Sequence, residues 1–241
     1  MTYNVEETEV EERNTISTGN IEIDRRIGGG IPYGTLMLIE GDDASGKSSI
    51  TQQLFYGALK AGEDVVCYST ETTIQSLIPQ MKSIGMDCTD YFIMNHLRIF
   101  PISTRGTDTN TDFMFDALAN HIEKEQSARV LVIDSLTTYI SSLGGEKIQD
   151  FFQKCKRLCD QGKVVICTVH SNAFDENALT RVRSICDAYL MLKVTRAGSA
   201  LVKTLEVAKI KGAESTTGNI SGFQVEPGLG VRLIPISRAK A

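Results

Sequence analysis

The octet Gly41-Asp42-Asp43-Ala44-Ser45-Gly46-Lys47-Ser48 has the residue types and spacing of a loop that wraps a chain of phosphates. Glycines at its ends let the backbone curl so that successive N–H groups point inward at an anion. Lys47 is then placed to reach the β- and γ-phosphates and the hydroxyl of Ser48 to ligate Mg2+, with Ser49 completing the nucleotide-binding run. Such a site needs a second carboxylate to hold the hydration shell of the metal, at the end of a neighbouring apolar strand. Asp134 stands there, after Val130-Leu131-Val132-Ile133; it could equally cap the segment that follows, and the phosphate loop tips the balance to the metal. Hydrolysis also needs a group that orients the attacking water. Glu71 stands where the run Asp64 to Ser69 ends, a position where glutamates also serve as simple caps. His170, next to Val169, is a sensor of the γ-phosphate, a partner of Glu71, or a structural histidine. Lys209 and Lys211 alternate before Gly212 and share a face. They read either as a solvated edge guarded against aggregation or as a pair reaching a neighbouring subunit's triphosphate.

The elements that must position these groups follow from periodicity and turn residues. Thr35 to Glu40 reads as a buried strand entering the loop, and Ser49 to Ala61 as a helix whose positive N-terminus faces the phosphates. Asp64 to Ser69, Leu97 to Phe100, Arg129 to Asp134 and Val164 to Val169 are further strands. Their unbroken apolar character belongs to a parallel sheet covered on both faces. Helices are expected from Asp24 to a glycine stop, and over 74–83, 112–125 (with Thr111 as cap), 146–160 and 179–186. Residues 84–96 read as a connector and Ser103 to Asp112 as a mobile polar loop. From Ala188 the texture changes to strands joined by turns: 188–195, 202–210, 222–226 and 231–235, an antiparallel extension of the sheet. The acidic residues 1–15 read as a flexible tail and 16–241 as one domain.

A length of 241 residues suits one sizeable α/β domain. No apolar run is long enough to span a membrane, so a cytoplasmic protein is expected, with membrane contact only through partners. A net charge of −5 argues against a protein that coats nucleic acid. The six cysteines have no C-x-x-C pair and read as reduced, buried small hydrophobes.

Taken together, the lead-in Ser17-Thr18-Gly19 to Gly28-Gly29-Gly30-Ile31-Pro32-Tyr33-Gly34, the strand end Tyr68-Ser69-Thr70-Glu71, and Val207-Ala208-Lys209-Ile210-Lys211-Gly212 resemble the RecA/KaiC superfamily of ATPases. The likeness tightens on the branch that accompanies the archaeal swimming filament, the archaellum. It is carried by Gln80-Met81-Lys82-Ser83, Asp90-Tyr91-Phe92, Phe151-Phe152 with Cys155-Lys156, Arg183 to Ala188, and Thr217 to Ser237. That resemblance implies a RecA-like phosphate-loop NTPase fold, a homo-hexameric ring formed with ATP and Mg2+, and Lys209 and Lys211 acting in trans. It further implies ATP as a regulatory signal at the cytoplasmic base of a membrane-embedded motor, and docking to the motor ATPase FlaI and other basal components. Clock-type relatives carry two adjacent glutamates where this chain has Glu71 followed by Thr72, which points to ATP held more than turned over. The competing readings within the superfamily are an ATPase acting on DNA and a self-phosphorylating clock relative.

Overall fold

A strand such as Val130–Asp134 has no polar face to offer water, so its residues can be buried only if helices cover both sides of the sheet. A computed structural model, which describes residues 14–102, 111–140, 143–174, 176–197, 200–213 and 220–234, has this arrangement. In chain order the elements are β1 (Thr15–Ile16), α1 (Ile21–Arg26), β2 (Ile31–Pro32), β3 (Leu36–Gly41), α2 (Lys47–Lys60), β4 (Val65–Ser69), α3 (Ile74–Ser83), α4 (Thr89–Ile93), β5 (Leu97–Pro101) and α5 (Thr111–Lys124). There follow β6 (Val130–Asp134), α6 (Thr137–Ile140), α7 (Gly145–Asp160), β7 (Val164–His170), α8 (Glu176–Ile185), β8 (Ala188–Ala197), β9 (Ala200–Ile210), β10 (Ile220–Glu226) and β11 (Gly230–Ile234).

Among the described residues, nine strands form one sheet in the order β11-β10-β9-β8-β3-β7-β6-β4-β5. The strands from β8 to β5 run parallel, whereas β9, β10 and β11 are antiparallel, as the change of texture after Ala188 implies. Side chains alternate between two apolar layers. Met37, Ile39, Val130, Val132 and Ile166 pack on the side of α1, α2 and α3, while Leu36, Leu38, Leu131, Ile133 and Cys167 pack on the side of α5, α7 and α8. All six cysteines are free and buried.

Helix α2 is buried around most of its circumference, because residues 17–19 cross its outer side. That crossing requires Gly57: a β-carbon there would lie 2.1 Å from the carbonyl carbon of Thr18. Gln53 donates to the carbonyl of Thr18 at 2.8 Å and fixes the same contact.

Several boundaries differ from the sequence reading for local reasons. Helix α1 begins at Ile21 rather than Asp24, because the side chain of Asn20 accepts from the N–H groups of Glu22 and Ile23 and caps it. Asp24 instead turns back to accept from Ser17 Oγ and the N–H of Thr18. The connector 84–96 contains α4, which starts where Asp87 accepts from the N–H and hydroxyl of Thr89. Helix α8 begins at Glu176, three residues before the expected start, and α6 is an added short helix after β6. Lys211 falls just past the end of β9. The acidic residues 1–13, most of the polar stretch 103–112 and residues 235–241 lie outside the described residues.

Candidate functional site

Parallel α/β sheets present their loops at the carboxyl edge of the strands, where helix N-termini also converge. Strand β3 ends at Gly41, the chain turns through Asp42 to Gly46, and α2 starts at Lys47. Gly46 takes φ 94° at the N-cap, with no side-chain hydrogen bond to the first turn, which leaves those N–H groups facing the cleft. A β-carbon on Gly41 would lie 2.6 Å from Ser45 Oγ and 2.8 Å from the carbonyl of Leu192, so the close curl of the loop requires a glycine. The buried Ser45 hydroxyl has no protein partner. These are the features of a cradle for an anion.

The charged groups gather as the spacing suggested. Lys47, only 7% exposed, donates from Nζ to the carbonyls of Gly41 at 3.1 Å and Asp42 at 2.8 Å. Burial lowers its pKa, against the pull of Glu71, Asp134, Asp43 and Asp42. Asp134 accepts from Thr168 Oγ1 at 2.6 Å, and the hydroxyl of Ser48 lies near enough to favour its charged form. Burial raises its pKa and the nearby Glu71 adds to the rise, while the Thr168 bond, the Ser48 hydroxyl and Lys47 oppose it. Both loop carboxylates are exposed: Asp42 accepts from Ser171 Oγ at 3.0 Å and Asp43 from the N–H of Ala44 at 2.9 Å.

Glu71 accepts from Ser135 Oγ at 3.0 Å and lies 4.0 Å from His170 Nε2. The backbone N–H of His170 donates to Thr137 Oγ1 at 3.0 Å, which sets the histidine beside the glutamate. The cleft, of about 290 Å³, is lined by Asp43 through Ser49, Glu71, His170 and Lys203. The donor set fits Mg2+ in its usual mode, with a hydroxyl and one carboxylate from the protein and the remaining oxygens from phosphate and water. Among the described residues no three His, Cys, Asp or Glu side chains gather into a group that could hold a metal ion by themselves.

Lys209 and Lys211 lie at the other edge of the sheet, where Lys209 pairs with Tyr189 and Met37 with Ala188. Lys209 Nζ donates to the carbonyls of Arg183 at 3.3 Å and Cys186 at 2.5 Å, and Lys211 Nζ sits 3.5 Å from Asp187 Oδ1. The tertiary fold thus keeps both away from the phosphate loop of their own chain. Lys203 was missed by sequence reasoning, because its nearness to the loop follows from the pairing of β8 with β3 and β9 with β8. A larger polar cleft of about 640 Å³ opens at the amino edge among Glu63, Asp64, Glu123 and Arg129. Its buried charges are already met: Glu125 accepts from both Nη atoms of Arg98, and Lys163 donates to the carbonyls of Gln126 and Ala128.

This fold and cleft define a RecA-like phosphate-loop NTPase, and the chain matches the ATPase family KaiC over residues 16–238. It is 35% identical, over 94% of its length and 99% of the relative's, to the archaeal flagellar ATP-binding protein FlaH of Sulfolobus acidocaldarius. The crystal structure of the flagellar accessory protein FlaH from Methanocaldococcus jannaschii superposes with a TM-score of 0.74 at 26% identity, covering 88% of this chain and 95% of that one. A KaiC-like protein of Pyrococcus horikoshii shares the fold at a TM-score of 0.73 and 22% identity, over 92% and 99% of the two chains. The chain belongs to the KaiC-like ATPases and, within them, to the FlaH family. No helix among the described residues is long and apolar enough to cross a membrane.

Proposed function

We propose that this protein is an ATP-switched assembly component of the archaellum motor. The observation that carries the reading is the convergence of Lys47, Ser48, Asp134 and Glu71 on one cleft at the end of β3. The names of its FlaH relatives support the setting in archaeal motility. Lys47 neutralises phosphate charge, Ser48 and Asp134 hold Mg2+, and the N–H groups of the loop orient the triphosphate. Glu71, held by Ser135 and near His170, orients water for slow hydrolysis that resets the switch.

The remote placement of Lys209 and Lys211 supports their use on a neighbouring subunit's nucleotide, and hence a homo-hexameric ring. ATP then acts by binding the assembled state more tightly than the free one. The ring presents a docking surface to the motor ATPase FlaI at the cytoplasmic base of the motor, and meets the membrane only through such partners. The test is the mass in solution with and without Mg·ATP, read beside phosphate release. A shift to a ring with little phosphate released, abolished by Lys47→Ala, is the expected result. An unchanged mass at saturating Mg·ATP would sink the assembly reading.

A further inference from the structure

The turn at Gly46 has no side chain to anchor it and no side-chain cap, yet it sets the direction of the first N–H groups of α2. Hydrogen bonds prefer an angle at hydrogen above about 150° and weaken steeply below about 120°, so a rotation of a few tens of degrees here would spoil the cradle. Lys47 Nζ ties the start of the loop through the Gly41 and Asp42 carbonyls, and Gly46 itself is met from outside. A β-carbon on Gly46 would lie 2.9 Å from Cζ and 3.0 Å from Cε2 of Phe223, so the ring edge fills the space beside this glycine. Phe223 is 1% exposed and stands on β10, separated from β3 by β9 and β8. Its partner across the ladder is Lys203, whose Cδ lies 3.7 Å from the same point and which lines the cleft.

We propose that Phe223 is a positioning residue for the phosphate loop, its ring edge bracing Gly46 so that the first N–H groups of α2 keep their aim. The proposal rests on the loop being the ATP site. A ring braces well because two torsions fix it and its contact atoms are distant from its own backbone. Leucine fills much of the same core volume but lacks the Cε and Cζ atoms that meet the loop. Tyrosine keeps the ring and adds an oxygen at Cζ, the atom that faces Gly46. Through this contact the antiparallel extension, remote in sequence, becomes part of the nucleotide site.

The experiment is a calorimetric titration of Mg·ATP into wild type, Phe223→Leu, Phe223→Tyr and Val207→Ala, at a temperature where melting curves show all four folded. Val207 is likewise buried at 1%, on the half of β9 remote from the loop, and its truncation controls for general weakening of this sheet. Phe223→Leu is expected to raise Kd at least tenfold and Phe223→Tyr at least threefold, while Val207→Ala stays within twofold of wild type. Wild-type Kd in both Phe223 variants overturns the proposal, as does an equal loss in Val207→Ala. A wild type that binds no Mg·ATP refutes the functional reading itself, an outcome visible before any variant is compared.

Discussion

Replacing Lys47 by Met separates what this residue does for the nucleotide from what it costs the free protein. Its ammonium donates two hydrogen bonds to loop carbonyls, at 3.1 and 2.8 Å. On binding, those donors are exchanged for phosphate oxygens, and hydrogen bonds between charged groups contribute about 1.5–3 kcal/mol each. Two such bonds amount to about 3–6 kcal/mol and the two carbonyl bonds given up to about 1–3, so the net loss in Lys47→Met comes to about 2–3 kcal/mol, or about one and a half to two powers of ten in Kd. Without nucleotide the sign is different. Burial already disfavours the ammonium, as its lowered pKa shows, and methionine is a good helix former at a 7% exposed position. The variant should therefore melt no earlier than wild type. Mg·ATP at a hundred times Kd adds about 2.7 kcal/mol to the wild type, which is about 5–10 °C in Tm for a chain of this size. The variant should gain no more than about a third as much at the same concentration. Thermal melts with and without Mg·ATP, backed by direct titration, read both effects. Binding by Lys47→Met within threefold of wild type would refute the reasoning, and so would a drop of several degrees in its melting point without nucleotide.

Three further outcomes follow from other parts of the molecule. Glu71→Gln should leave ATP affinity within a few-fold but cut phosphate release by about a hundredfold or more; release at the wild-type rate in a phosphate assay removes Glu71 from that role. Glu125 is placed differently: burial pushes its carboxyl up, but hydrogen bonds from Arg98, the Ala128 N–H and Ser127 outweigh it and hold the pKa at about 2. A depressed carboxylate stabilises above its unfolded pKa, so Glu125→Gln should cost about 2–3 kcal/mol at pH 7. That gap should shrink below about pH 4 and nearly vanish by about pH 2, as urea unfolding at each pH would show. Gly57→Ala should fail to fold or lose many degrees in Tm, because the new carbon would sit 2.1 Å from Thr18 carbonyl carbon and 2.4 Å from Ser17 oxygen. Helix propensity alone predicts a gain of about 1 kcal/mol for the same change, so the sign of the measured shift decides between packing and propensity.

Much of the architecture was legible because its signals are local. The apolar runs of β3, β4, β6 and β7 admit little but a sheet buried on both faces, and the glycines at 41 and 46 with Lys47 and Ser48 specify their loop within eight residues. The place of Asp134 and Glu71 beside the loop was legible because strand ends in a parallel sheet share one edge, so a carboxylate after an apolar run already has an address. Boundaries were less legible where one polar side chain chooses between two neighbouring N–H groups. Asn20 rather than Asp24 caps α1, and Asp87 starts α4 inside what reads as a connector.

Taken alone, then, the amino-acid order determined the phosphate loop, the strand-end carboxylates, the parallel sheet and its antiparallel extension, all of which rest on patterns a few residues long. Tertiary structure alone decided which distant residues meet at the loop. Phe223 reaches Gly46 across two intervening strands, Lys203 enters the cleft from β9, and Lys209 and Lys211 come to rest at the opposite edge with their ammonium groups turned to Arg183, Cys186 and Asp187. The physical reason is register. Strand order and pairing are set by the summed packing of both sheet faces, and no short stretch of sequence carries that sum.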